Sequence, residues 1–336
     1  MGDKLKLAVN WAAACGGCDV SLLDSEATLL DLTEAADVVY WPVAMDYKRA
    51  DLEAWGPGEI DVGIFNGAIR TSEHEADARV MRERCKVLVA YGSCAAIGGI
   101  PGLGNLCSPT SILDVVYRDT ASTDNPDDTR PQTRTPRDGG ALELPAFQPT
   151  VRALHHVVDV DITVPGCPPP LPRVLDAVEV ILGMAAGAPA PPIGTVLASD
   201  KALCDECPRI DTRTGTGRRV PHQHRPHEMV ADPERCFLEQ GLVCLGLATR
   251  GGCGATCIEA NMPCRGCFGP TPTLLDPGAE ALSAVASLSG LDHEDEFPTH
   301  KRLAPMRSIV DVAGTFYRFT LPSATLFRSL FDAPEK

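Results

Sequence analysis

The first half of the chain alternates short apolar runs with helical, often charged stretches, the rhythm of a parallel α/β sheet. Leu5 to Asn10 reads as a first strand, followed by a Gly-containing loop that carries Cys15 and Cys18. Val20 to Leu32 predicts a helix with Leu22, Leu23, Leu29 and Leu30 on one face. Asp37 to Val43 and Ile60 to Ala68 predict the second and third strands. Ser72 to Cys85 is a polar helix, with Ser72 and Glu75 as a capping box. Lys86 to Tyr91 predicts a fourth strand ending at Gly92-Ser93-Cys94, and Val157 to Val164 a fifth ending at Pro165-Gly166-Cys167. Arg173 to Met184 is the helix that follows.

Elsewhere this rhythm fails. Asp119 to Leu144 is rich in Asp, Thr, Pro and Arg without an apolar period, which predicts an exposed, partly disordered insertion. Ala188 to Ile193 is a Pro-rich linker, and beyond it Cys, Gly and Pro dominate. The expected organisation is therefore a flavodoxin-like α/β domain over residues 1–190 and an irregular domain over residues 191–336, built around metal more than around an apolar core. No internal repeat of fixed period is visible.

Composition narrows the function. With 336 residues, 44% of them hydrophobic, the chain has material for two buried cores. A formal net charge of -15, with no large Lys/Arg cluster, argues against nucleic acid as a partner. The opening segment predicts neither a signal peptide nor a membrane span, and no twin-arginine pair is near it, so the expected compartment is the cytoplasm. Fourteen cysteines in a reducing compartment point to metal rather than to disulfides. No G-x-x-x-x-G-K-[ST] loop occurs, and no G-x-G-x-x-G follows the first strand. A flavodoxin-like sheet offers FMN the same strand ends, but cysteines occupy that edge, and no Ser/His/Asp triad is marked.

Twelve cysteines divide into three groups. Cys15, Cys18, Cys94 and Cys167 follow predicted strands, so the topology brings them to the carboxyl edge of the sheet. Cys204, Cys207, Cys236 and Cys244 form a second group, and Cys253, Cys257, Cys264 and Cys267 a third. Four converging thiolates suit a [4Fe-4S] cluster or an all-cysteine zinc site, and spacing alone leaves both open. The sheet scaffold and the number of thiolates favour iron–sulfur; a zinc-stabilised interaction module is the rival of another class. Cys85 and Cys107 are left over and read as packed thiols. His222, His224 and His227, like His155 and His156, read as loop or surface histidines. Arg218, Arg219 and Arg225 are a candidate docking face for an acidic partner.

These motifs resemble a known family across nearly the whole chain. Cys15-Gly-Gly-Cys18, Tyr91-Gly-Ser-Cys94-Ala-Ala-Ile-Gly-Gly and Val164-Pro-Gly-Cys167-Pro-Pro resemble the proximal-cluster motifs of [NiFe] hydrogenase small subunits. Gly241-Leu-Val-Cys244-Leu-Gly, Ala248-Thr-Arg-Gly-Gly-Cys253 and Met262-Pro-Cys264-Arg-Gly-Cys267-Phe-Gly-Pro are similar to the C-terminal cluster motifs. The likeness is strongest to the F420-non-reducing group linked to heterodisulfide reductase, down to the tail Val312-Ala-Gly-Thr-Phe-Tyr-Arg-Phe-Thr-Leu-Pro.

The resemblance implies three [4Fe-4S] clusters. Cys15, Cys18, Cys94 and Cys167 would bind the proximal one, Cys253, Cys257, Cys264 and Cys267 the medial one, and Cys204, Cys207, Cys236 and Cys244 the distal one. Respiratory relatives have His at the position of Cys204 and Pro at that of Cys257, where the medial cluster is [3Fe-4S]. The added thiolates here favour low potentials. Hydrogen cleavage would belong to a partner large subunit, since no nickel-type site is visible in this chain. Electrons would pass to a [2Fe-2S] subunit and a flavin-containing heterodisulfide reductase. The alternative acceptors are F420 and NAD(P).

Overall fold

The computed structural model describes residues 4–25, 27–213, 220, 222–289, 298 and 307–325. The described strands are β1 (Leu5–Trp11), β2 (Ala36–Tyr40), β3 (Ile60–Asn66), β4 (Ile69–Thr71), β5 (Cys85–Tyr91), β6 (Arg134–Arg137), β7 (Gly140–Glu143), β8 (Phe147–Arg152), β9 (Ile162–Val164) and β10 (Thr195–Val196). The described helices are α1 (Gly17–Leu23), α2 (Ala27–Ala35), α3 (Arg49–Glu53), α4 (Ser72–Arg84), α5 (Ser93–Ile97), α6 (Pro109–Asp114), α7 (Leu171–Ala185), α8 (Thr256–Glu259), α9 (Pro277–Leu288) and α10 (Val312–Phe316).

Six strands form one parallel sheet in the order β10-β9-β5-β3-β1-β2. This is the flavodoxin-like order extended by one short strand, as the sequence pattern predicts. The strands are apolar on both faces because both are covered. Leu7, Val9, Val62, Ile64, Val87 and Val89 pack with residues of α1, α2 and α7 on one side. Ala8, Phe65, Leu88 and Ala90 pack with Leu52 of α3 and Met81 of α4 on the other.

A separate core holds the C-terminal half. It joins Leu203, Phe237, Leu242, Leu245, Ile258, Val285 and Phe316 with the buried Cys244 and Cys264, so cysteines are built into its packing. Among the described residues regular elements are few there, as expected. Pro322 of the tail reaches back onto the sheet half, so close that a Cβ on Gly98 would lie 2.3 Å from its ring.

Several local expectations change. The predicted helix Val20 to Leu32 is two helices, because the Ser25 hydroxyl donates to Leu22 O at 2.7 Å and α1 ends there. The cap of α4 is Thr71, whose extended backbone lets Oγ1 accept from His74 N at 3.3 Å. Ser72 Oγ instead accepts from Ala146 N, and Glu75 pairs with Arg79 and Arg152. The fifth predicted strand shrinks to β9, because Leu154–His156 forms a 3-10 turn in which the Leu154 carbonyl takes the N–H groups of both Val157 and Val158. The insertion 119–144 is exposed but carries the hairpin β6–β7, turned at Asp138-Gly139. Cys85 opens β5 and is buried, whereas Cys107 is exposed, placed outward by the extended residue that ends the 3-10 turn Ile100–Leu106. Arg218 and Arg219 lie outside the described residues.

Candidate metal centres

The carboxyl ends of β1, β5 and β9 deliver the first quartet. Cys15 lies in the loop after β1, Cys18 in the first turn of α1, Cys94 in α5 and Cys167 just beyond β9. Backbone bonds pull these loops together: Gly92 N–H donates to Val164 O at 2.8 Å, and Ser93 N–H to Gly166 O at 2.7 Å. Ser21 and Tyr91 share a buried hydroxyl contact of 2.9 Å that ties α1 to the end of β5. Burial, then the neighbouring Cys94 and Cys167 charges, push the Cys18 thiol well above its ordinary range. Burial, then Cys167 and Cys15, push Cys94 up to about 12.

Gly92 is fixed by this approach. Its φ is +84°, and a Cβ there would stand 2.3 Å from Cys18 Sγ. Gly92→Ala is therefore expected to displace Cys18 and to strain the backbone by about 1 kcal/mol or more. The check is iron content, which should fall in the variant while the secondary structure by circular dichroism persists.

The other two quartets form in the C-terminal half. Cys204, Cys207, Cys236 and Cys244 line one cavity with Arg209, Arg213 and Phe237. Burial, then Cys244, push Cys204 up to about 12, and burial pushes Cys244 up to about 11. Cys253, Cys257, Cys264 and Cys267 come from the turn before α8, from α8 itself and from the following loop. Burial, then Cys253 and Cys257, push Cys267 up to about 12.

Direct contacts link the three sites in a row. The Cys167 backbone N–H faces the Cys267 thiol and favours its thiolate. Ser93 Oγ donates to Cys267 O. On the far side, Cys264 N–H donates to Cys244 Sγ at 3.3 Å. The quartet around Cys264 and Cys267 thus stands between the other two.

The donor sets fit iron–sulfur chemistry. All fourteen cysteines are unpaired, and no three cysteine sulfurs among the described residues lie within 4.8 Å of one another. Four thiolates on one tetrahedral zinc would sit about 3.8 Å apart, given a Zn–S bond of about 2.3 Å. A four-iron cube spreads its ligands further. Thiols raised by burial and by one another need a cationic centre before they are held as thiolates.

Sequence reasoning missed some supporting side chains. Glu206, inside the Cys204-x-x-Cys207 loop, accepts Gly252 N–H at 2.9 Å and stands 3.8 Å from Cys253 Sγ, joining two cysteine loops. Arg209 is 4% exposed, donates to the carbonyls of Asp232, Arg235 and Ile258 and to Asn261 Oδ1, and lies over the Phe237 ring. An arginine two residues after a cysteine pair was its only sequence signal. Arg209→Met removes the charged donor shared by three loop carbonyls and Asn261, together with the cation over the Phe237 ring, so a loss of about 2 kcal/mol is expected. The checks are the melting temperature of the loaded protein and the electron paramagnetic resonance signal of the Cys204 quartet's metal. His222, His224 and Glu228 bring their ligand-type atoms within 4.8 Å of one another, and His227 is not part of that group.

Comparison with known proteins identifies the arrangement. The chain is 37% identical over 329 residues to the iron-sulfur subunit of the F420-non-reducing hydrogenase of Archaeoglobus profundus, covering 97% of this chain and 99% of the relative. The chain belongs to this family of hydrogenase subunits. The corresponding F420-non-reducing hydrogenase subunit of Methanothermobacter marburgensis is 35% identical, with 97% of each chain covered. The family model for the NADH ubiquinone oxidoreductase 20 Kd subunit matches residues 15–181, a span that contains all four cysteines of the first quartet. A solved [NiFeSe] hydrogenase from Dm. baculatum shares the fold, with a TM-score of 0.51, 17% identity, and coverage of 81% of this chain and 96% of that one. As a [NiFe] hydrogenase small subunit the protein transfers electrons as part of a hydrogenase complex. Among the described residues no helix is long and apolar enough to cross a membrane.

Proposed function

We propose that the twelve cysteines hold three [4Fe-4S] clusters that carry electrons in single file from the large subunit's hydrogen-cleaving site. Cys15, Cys18, Cys94 and Cys167 hold the proximal cluster, Cys253, Cys257, Cys264 and Cys267 the medial one, and Cys204, Cys207, Cys236 and Cys244 the distal one. When bound, the clusters supply one-electron redox chemistry. Residues 1–190 form the domain of the proximal site and residues 191–336 that of the other two. The observation that carries this reading is the chain of contacts Cys167–Cys267 and Cys264–Cys244, which puts the medial quartet in reach of both others.

The protein's own groups do the rest. They hold four sulfurs at each site, keep water from the buried Cys244 and Cys264, and donate backbone N–H groups to sulfur. The Archaeoglobus relative's description as an iron-sulfur subunit supports the cofactor class. Its designation as F420-non-reducing favours export through a [2Fe-2S] subunit to a flavin-containing heterodisulfide reductase over reduction of F420. We place the complex in the cytoplasm, where free thiols persist.

Anaerobic purification followed by iron, sulfide and zinc analysis tests the cofactor. About twelve irons per chain and a brown colour bleached by dithionite are expected. A colourless protein containing zinc overturns the proposal. With the large subunit present, hydrogen should reduce all three clusters; reduction of the proximal one alone would break the proposed order.

A further inference from the structure

A cavity of about 100 Å³ in the C-terminal half is lined by three arginines, Arg225, Arg265 and Arg318. Among the described residues none of them forms an ion pair with a carboxylate. The one acid lining the cavity, Asp311, is engaged elsewhere: its Oδ1 accepts Gly314 N–H at 2.8 Å and caps α10. Glu228 beside the rim accepts the Arg225 backbone N–H at 2.8 Å, and among the described residues no guanidinium pairs with it.

Guanidinium groups keep their charge in proteins, so three positive charges face one small space in a chain whose formal net charge is -15. Asp311 is the one acid in the lining against the three guanidiniums, so the lining keeps a net positive charge. An anion with planar or tetrahedral oxygens relieves the repulsion and meets the donors in the geometry that arginine favours.

We propose that this cavity binds a small oxyanion, a carboxylate or a phosphate, held by Arg225, Arg265 and Arg318. Arg265 lies between Cys264 and Cys267, and Val243 on the cavity wall precedes Cys244. A bound anion would therefore add negative charge beside the medial and distal sites and lower the potential of the nearer cluster, a consequence that rests on the cluster assignment above.

The test is calorimetric titration of the purified, cluster-loaded protein with inorganic phosphate and, separately, acetate, with chloride holding ionic strength constant. Saturable binding of at least one anion is expected, and Arg225→Gln and Arg318→Gln should each weaken it about tenfold or more. Arg225 is exposed, so its substitution leaves the packing intact. A preference for phosphate or acetate distinguishes the two oxyanion classes. No saturable binding by the unaltered protein, or equal affinity in both variants, overturns the proposal. A second readout is potentiometry followed by electron paramagnetic resonance. Saturable binding without any shift in a cluster signal supports the pocket and counts against the cluster assignment.

Discussion

Replacing Cys15 and Cys167 together with alanine lowers the iron content from about twelve to about eight atoms per chain and abolishes reduction of the remaining clusters by hydrogen. Both cysteines are exposed in the free chain, so neither apolar core loses packing. The partners Cys18 and Cys94 stay in place, but two thiolates do not retain a four-iron cube. The other two quartets use none of these residues, so dithionite should still reduce what they hold. The decisive comparison is between reductants: signals that appear with dithionite and stay absent with hydrogen plus the large subunit mark a wire cut at its first contact. Iron unchanged in this variant would mean that the edge of the sheet carries no cluster.

The second large effect concerns Cys257. It sits exposed in α8, the least buried member of its quartet. Cys257→Pro removes one ligand and one corner of the cube, so a [3Fe-4S] cluster is expected there, with a potential raised by on the order of hundreds of millivolts. Proline also fits the chain, because Cys257 is the second residue of a four-residue helix, where an N–H is free to be lost. The cost falls elsewhere: a medial site that holds its electron more tightly slows passage to the distal one. Hydrogen-driven dye reduction should fall, and the new oxidised-state signal should appear at the higher potential. An unaltered medial signal would show that Cys257 is no ligand.

The sheet was legible in the sequence because its strands bury both faces and so read as unbroken apolar runs, and because a parallel sheet needs helices between strands. The quartets were partly legible for a related reason: a strand that ends in cysteine announces its own position at the sheet edge. The irregular half gave no such periodic signal. Its fold is set by contacts among cysteine loops, as when Glu206 reaches from one loop to Gly252 in another, and such contacts have no regular spacing. The hairpin β6–β7 was missed because all its residues are exposed or nearly so and no apolar alternation marks it, although Asp138-Gly139 is a turn pair. Arg265 was passed over as a member of a cysteine motif. Only the folded arrangement shows it facing Arg225 and Arg318.

Cys167, Ser93 and Cys267, residues that belong to, or adjoin, the proposed ligand sets, form part of the seam between the two halves, beside Pro322 against Gly98 and Ser323 Oγ donating to Ile97 O. Tunnelling falls off steeply with distance, so here mechanical stiffness and conductance are one property. On the proposed cluster order every electron crosses this seam, so a hinge there would act as a circuit breaker, and the chain gains by having none.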